Sequence, residues 1–112
     1  ARDGNVNEVR RRLAAGANVN AAHHNAIAPL HVAALNRHVE ICQALVEAGA
    51  NVQAADIAGN TPLLCSGHVE VSQILVAAGA NIHATTRDGT TPLHRSASNG
   101  SVEVSQMLVG AG

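Results

Sequence analysis

The chain contains no phenylalanine, tyrosine or tryptophan among its 112 residues. Aromatic side chains and arginine supply most of the energetic hot spots of protein interfaces. Any binding surface on this chain is therefore poor in anchoring side chains, and Arg87 and Arg95 are its candidates of that type.

The chain also carries little charge, since 13% of its residues are charged and the formal net charge is -1 at pH 7. Without a broad basic field, neither nucleic acid nor an anionic membrane is expected as the main partner. No apolar run approaches the roughly 20 residues that span a bilayer, and residues 1–4 do not resemble a signal peptide. These absences predict a soluble intracellular protein, cytoplasmic or nuclear.

Cysteine is limited to Cys42 and Cys65, which fall in segments of helical pattern. Two such residues without Cys-x-x-Cys spacing form neither a disulfide framework nor a redox motif. They are predicted to be buried, reduced thiols.

What the chain does have is an internal repeat. The phrase Gly-Ala-Asn begins at Gly16, Gly49 and Gly79, with spacings of 33 and 30 residues. A Pro-Leu phrase and a Val-Glu phrase recur at the same offsets, in residues 28–31, 61–64 and 91–94 and in residues 39–41, 69–71 and 102–104. Repeats of this length are stacked supersecondary units that cannot bury their apolar faces alone, and they usually serve binding.

The second period shows which structure each unit adopts. Pro29 is tolerated in the first turn of a helix, and Leu30 and Ala33 then fall on one helix face, which predicts a short inner helix. A longer outer helix follows from Val39 and ends at Gly49, because glycine adopts the left-handed conformation that closes a helix. The polar segment 51–59 is predicted to form a loop.

These phrases resemble ankyrin repeats, which have a 33-residue period and a Thr-Pro-Leu-His-x-Ala phrase. The resemblance covers residues 4–112 and implies an all-α repeat solenoid in which helix-turn-helix pairs alternate with β-hairpin-like loops. It predicts a single domain over residues 1–112. The repeats fall at about 1–22 (partial), 23–55, 56–85 (shortened by three residues) and 86–112 (partial).

Three departures from the family pattern are informative. The third repeat lacks three inner-helix residues, roughly the counterparts of Ala33, Ala34 and Leu35, which is either a notch in the concave face or a tolerated deletion. Arg12 occupies a position where the other outer helices have leucine, so its stem is expected to pack while its head reaches water. With its two preceding arginines it forms either a docking patch or a solvated helix face. Ala26 and Arg37 replace glycines, which predicts strain at any left-handed backbone.

The sequence offers no chemistry of its own. Four of its seven histidines fall on positions that the family uses for local hydrogen bonds, and no zinc-type spacing joins the rest. Cys65 and His68 could suggest a thiol nucleophile with its base, but no third orienting group is identifiable. We therefore expect no catalytic residues, no metal and no cofactor.

By resemblance, the function is protein–protein interaction through the concave face formed by loop tips and inner helices. The alternative is a structural spacer or regulatory segment of a larger protein, and further repeats are expected at one or both ends because Ala1 enters near the finish of an inner helix. The family's contact positions fall on His24, Asn25, Ile27, Leu35, Asn36, Ile57, Asn60, Arg87, Asp88, Thr90, Ser98 and Asn99. Of these, Ile27, Leu35 and Ile57 are predicted to face solvent without a core reason to be apolar.

Overall fold

The computed structural model describes residues 2–16, 18–20, 24–66 and 68–111. Within these ranges, side chains are described from Asn7 onward and, after the gap at residues 21–23, from Asn25 onward. Within those ranges the chain forms seven α-helices and no strand, so the predicted all-α fold is confirmed. The helices are α1 (Arg2–Ala14), α2 (Pro29–Leu35), α3 (Val39–Glu47), α4 (Pro62–Cys65), α5 (Val69–Ala77), α6 (Pro92–Ser98) and α7 (Val102–Ala111).

Each inner helix, α2, α4 or α6, begins at a proline that follows an extended residue. Thr61 and Thr91 cap two of these helices, because their hydroxyl oxygens accept hydrogen bonds from the N–H groups of Leu64 (3.4 Å) and His94 (3.1 Å). Ala28 has no such oxygen, and there the His31 ring closes the turn by accepting from the Ala28 N–H. The proline phrase of the sequence therefore marks every inner helix.

Inner and outer helices pack as pairs: α2 on α3, α4 on α5 and α6 on α7. A buried hydrogen bond of 2.9 Å joins the hydroxyls of Ser66 and Ser72, and a partly buried one of 2.8 Å joins those of Ser96 and Ser105. Successive pairs stack into a body of 38 × 26 × 22 Å, with one continuous aliphatic core. Its most deeply buried large side chains are Leu30, Leu64, Val71 and Leu75.

The two glycine replacements lie in left-handed backbone, the conformation for which the sequence predicts strain. The φ angle is 61° at Ala26 and 60° at Arg37. At these angles an L side chain crowds its own backbone, which costs roughly 1–2 kcal/mol per residue. The fold therefore tolerates two strained turns, both in the second repeat.

The shortened third repeat keeps only four inner-helix residues. Ser66 stands where α6 has the buried Ser96, and its N–H still donates to the carbonyl of Pro62 (3.0 Å). The lost residues are therefore the counterparts of Ala34, Leu35 and Asn36, one position later than predicted.

The first repeat differs from the prediction at its start. Among the described residues a single helix, α1, runs from Arg2 to Ala14, where the sequence predicted the end of an inner helix before the outer one. Arg12 is exposed, as expected for its head, and its Nε donates to Glu8 at 2.9 Å, while Arg11 binds the same carboxylate at 3.0 Å. The hydrogen bond from Arg12 and the charges of both arginines lower the pKa of Glu8.

Candidate functional site: loop tips and concave face

The tips of successive loops are joined by main-chain hydrogen bonds. The N–H of Ile57 donates to the carbonyl of Asn25 at 2.9 Å, and the N–H of Arg87 donates to that of Ala58 at 3.0 Å. At the second junction a Cβ added to Gly59 would lie 3.0 Å from the Arg87 nitrogen. The loops are thus in close main-chain contact, and the side chains at their tips project from a fixed ladder.

The loops of the third and fourth repeats are each held internally by an acidic side chain near the tip. The Asp56 carboxylate accepts from the N–H groups of Ala58 and Asn60, both at 2.9 Å. Burial alone would raise the pKa of Asp56, but the hydrogen bonds from Asn60 and Ala58 hold it below its usual value. In the next loop, hydrogen bonds from Thr86 and then Thr90 lower the pKa of Asp88. Both carboxylates therefore shape their turns.

Six predicted contact residues are exposed on loop tips or inner-helix ends. Leu35 is 66% exposed at the end of α2, and Ile57 is 55% exposed at a loop tip. The other four are the exposed side chains of Asn36, Arg87, Ser98 and Asn99. The helix-end residues of the second and fourth repeats have no counterpart in the third, because α4 lacks its last turn.

Four further predicted contact residues are half-buried or build their loops, and a fifth, Asn25, is exposed at a loop tip like the six above. Ile27 is half-buried, so it is less exposed than the sequence predicted. Asn60, Asp88 and Thr90 are engaged in the hydrogen bonds that build their loops. Asn25 is exposed, and its carbonyl belongs to the loop ladder. The side chain of the sixth, His24, lies outside the described residues.

Arg95 is not the free anchor that the sequence suggested. It is half-buried, its Nη1 donates to the Leu64 carbonyl and its Nη2 to the Asn60 side-chain oxygen, each at 3.1 Å. Leu64 stands where the second repeat has His31, whose ring bonds the Asn60 carbonyl of the following loop. At the junction of the second and third repeats, the side chain of the earlier repeat (His31) makes the link. At the junction of the third and fourth repeats, the side chain of the later repeat (Arg95) makes it.

An apolar groove, which we call the end groove, lies between α1, α2 and α3. Its volume is about 380 Å³. The lining includes Val32, which is 47% exposed, and Arg12 lies at its edge. The exposure of Val32 was not predicted.

The two thiols among the described residues are buried to different degrees. Burial raises the pKa of both free thiols, Cys42 and Cys65, to about 11, so neither is an activated nucleophile near neutral pH. In the described ranges no group of three His, Cys, Asp or Glu side chains could hold a metal ion. None of the helices seen there is long and apolar enough to cross a bilayer.

Comparison with known proteins agrees with the repeat architecture. A family model described as ankyrin repeats (3 copies) matches residues 1–86, and one described as ankyrin repeats (many copies) matches residues 65–109. Among curated proteins, the potassium channel KOR1 of Oryza sativa subsp. japonica is 45% identical over 60 residues, which is 54% of this chain and 7% of the channel. The first match alone covers most of the sequence, and the chain belongs to the ankyrin repeat family.

Proposed function

We propose that the chain binds a partner protein through its concave face. The observation that carries this proposal is the exposure of Leu35 and Ile57, two large apolar side chains that lie outside the core. Apolar residues in a fixed, exposed arrangement favour association, because burial against a partner removes them from water.

The loop ladder supports the same conclusion. Since successive tips are joined through the main chain, Ile57 and Arg87 are presented without the entropy cost of ordering a loop on binding. The contact surface we propose comprises Asn25, Leu35, Asn36, Ile57, Arg87, Ser98 and Asn99. Asn60, Asp88 and Thr90 act by shaping the loops, Ile27 is half-buried, and His24 remains a predicted contact.

The alternative is a spacer or regulatory segment within a larger protein, and one comparison favours it. The matched stretch is 7% of a potassium channel, so a segment similar to this one forms part of a much longer protein. At the C-terminal end, Leu93, Val102 and Val109 are exposed although the equivalent positions of earlier repeats are buried or half-buried. We propose that a further repeat covers them in such a protein. The free thiols support an intracellular location, in the cytosol or nucleus.

The test is affinity purification with the chain as bait, read by mass spectrometry, in parallel with the double variant Leu35→Asp and Ile57→Asp. A partner retained by the wild type and lost by the double variant supports binding at the concave face. The matched control is Glu47→Lys with Gln73→Ala, two exposed changes on outer helices. A partner lost by this control and kept by the first variant would place binding on the convex face and overturn the proposal.

A further inference from the structure

Asn60, at the end of the third repeat's loop, is bonded by a side chain from each neighbouring repeat. The His31 ring of the second repeat donates to the Asn60 carbonyl at 2.8 Å, because its other nitrogen accepts from the Ala28 N–H. From the fourth repeat, the Nη2 of Arg95 donates to the Asn60 side-chain oxygen at 3.1 Å. One residue of this loop thus connects three repeats.

The hydrogen bonds continue from Asn60 to the loop tip. Its Nδ2 donates to one carboxylate oxygen of Asp56 at 3.4 Å, and the other oxygen accepts from the N–H groups of Ala58 and Asn60. Ile57 lies between Asp56 and Ala58, so the backbone on both sides of it is fixed by this carboxylate. A connected series of hydrogen bonds therefore runs from Arg95 through Asn60 and Asp56 to the residues that flank Ile57.

The fourth repeat's loop is built without such help. Thr86 and Thr90 stand where the third repeat has Asp56 and Asn60, and both of their hydroxyls donate to the Asp88 carboxylate. Among the described contacts, no side chain of another repeat bonds to this loop's side chains. Dependence on a neighbouring repeat's guanidinium is therefore a property of the third repeat's tip.

The Arg95 guanidinium is poorly placed to contact a partner itself. The side chain is half-buried, and each terminal nitrogen already donates within the chain, one to the Leu64 carbonyl and one to Asn60. Groups that support a contact residue still influence affinity, because a side chain that is held before binding does not have to be ordered during it. Arg95 can therefore act on binding through the tip.

We propose that Arg95 is a positioning residue for the partner surface. It fixes, through Asn60 and Asp56, the conformation in which the third repeat presents Ile57, and so controls affinity at this tip without touching the partner. This role rests on the concave-face binding proposed above. A partner that needs Ile57 requires the Arg95 guanidinium, whereas one that contacts only Leu35 does not.

The first test needs no partner and measures backbone order in the labelled chain by nitrogen-15 relaxation. In Arg95→Met, the order parameters of residues 57–58 should fall from about 0.85 toward about 0.6, while those of residues 88–89 stay unchanged. The matched control is Ser72→Ala, which removes a buried hydrogen bond from the same repeat without touching its loop. It should lower the melting temperature and leave residues 57–58 rigid. Unchanged order at residues 57–58 in Arg95→Met would overturn the proposal.

The second test measures binding of a peptide selected on the wild-type chain from a random display library and lost in Ile57→Asp. Arg95→Met should weaken this peptide about five-fold, and Ser72→Ala less than about two-fold, at a temperature where all variants are folded. Asn60→Leu keeps the bond from Arg95 to Leu64, and it should weaken the peptide as much. Because Arg95 acts through Asn60, the double variant should lose no more than Asn60→Leu alone.

The outcomes separate this role from the concave-face function. A peptide that needs Ile57 but binds Arg95→Met as tightly as the wild type would overturn the positioning role and leave the concave-face function standing. Additive losses in the double variant would also overturn it, because Arg95 would then act by another route. Selected peptides that depend on neither Ile57 nor Leu35 would overturn both proposals together.

Discussion

The hydrogen bonds of Arg95 make it the main compensation for the deletion in the third repeat. Because α4 ends at Cys65, the Leu64 carbonyl has no following turn of helix to donate to it, and the Arg95 Nη1 takes that place at 3.1 Å. The second bond, to the Asn60 side chain, ties the same guanidinium to the loop of the third repeat. We predict that Arg95→Met destabilises the protein through these two bonds.

The magnitude follows from the burial of the group. A hydrogen bond with a charged partner contributes about 1.5–3 kcal/mol when well buried, but Arg95 is half-buried and water replaces part of what is lost. We therefore take about 1 kcal/mol per bond, or roughly 2 kcal/mol in all. Methionine retains most of the packing of the arginine stem, so the change isolates the guanidinium. For a domain of this size, the melting temperature should fall by about 8 °C.

Calorimetry or urea unfolding measures this loss, and the exposed Arg87→Met is the matched control, with an expected change below about 0.5 kcal/mol. Hydrogen exchange gives the local readout, because the amides of Cys65 and Ser66 should exchange faster in Arg95→Met, ahead of those in α2. If Arg95→Met is no less stable than Arg87→Met, or if exchange at Cys65 and Ser66 is unchanged, Arg95 does not stabilise the end of α4.

Three further predictions concern strained backbone, close packing and thiol reactivity. Arg37→Gly should raise the free energy of unfolding by about 0.5–1 kcal/mol in urea denaturation, because relief of left-handed strain exceeds the added flexibility of the unfolded chain; no gain would mean that the turn is not strained. Gly59→Ala should destabilise more than Gly89→Ala, since both have φ of 85° but only the first new Cβ meets a neighbouring loop; equal melting temperatures would contradict this close approach. The alkylation rate of Cys65 should rise about ten-fold per pH unit between pH 7 and 10, as expected for a pKa of about 11, and a plateau below pH 9 would contradict burial of the thiol.

The sequence predicted the structural features that depend on residues close to one another along the chain. The proline phrase marks α2, α4 and α6, because proline at a helix start acts within one turn of the chain. The left-handed turns at Ala26 and Arg37 could be inferred in the same way, because glycine at the corresponding positions of other repeats indicates a positive φ angle there. Local rules suffice in such a fold because each repeat contacts only its neighbours.

The sequence did not predict interactions that cross between repeats. Arg95 lies 31 positions from Leu64, and their hydrogen bond exists because the deletion left a carbonyl without its usual donor. Asn60 was predicted as a contact residue, but in the structure its side chain accepts a hydrogen bond from Arg95 and donates one to Asp56. The half-burial of Ile27 likewise depends on how its loop packs, which side-chain type alone does not reveal.

The deletion divides the proposed contact surface into two parts. Along the loop tips the surface is continuous, because main-chain bonds join the second, third and fourth repeats at Ile57 and Arg87. Along the inner helices it is interrupted, since Leu35 and Ser98 belong to the second and fourth repeats and α4 ends before the equivalent position. A partner that touches both helix ends must fill the space between them, whereas one that touches only the tips need not. Binding that depends on Ile57 and Arg87 but not on Leu35 and Ser98 would therefore identify a partner that contacts the loop tips alone.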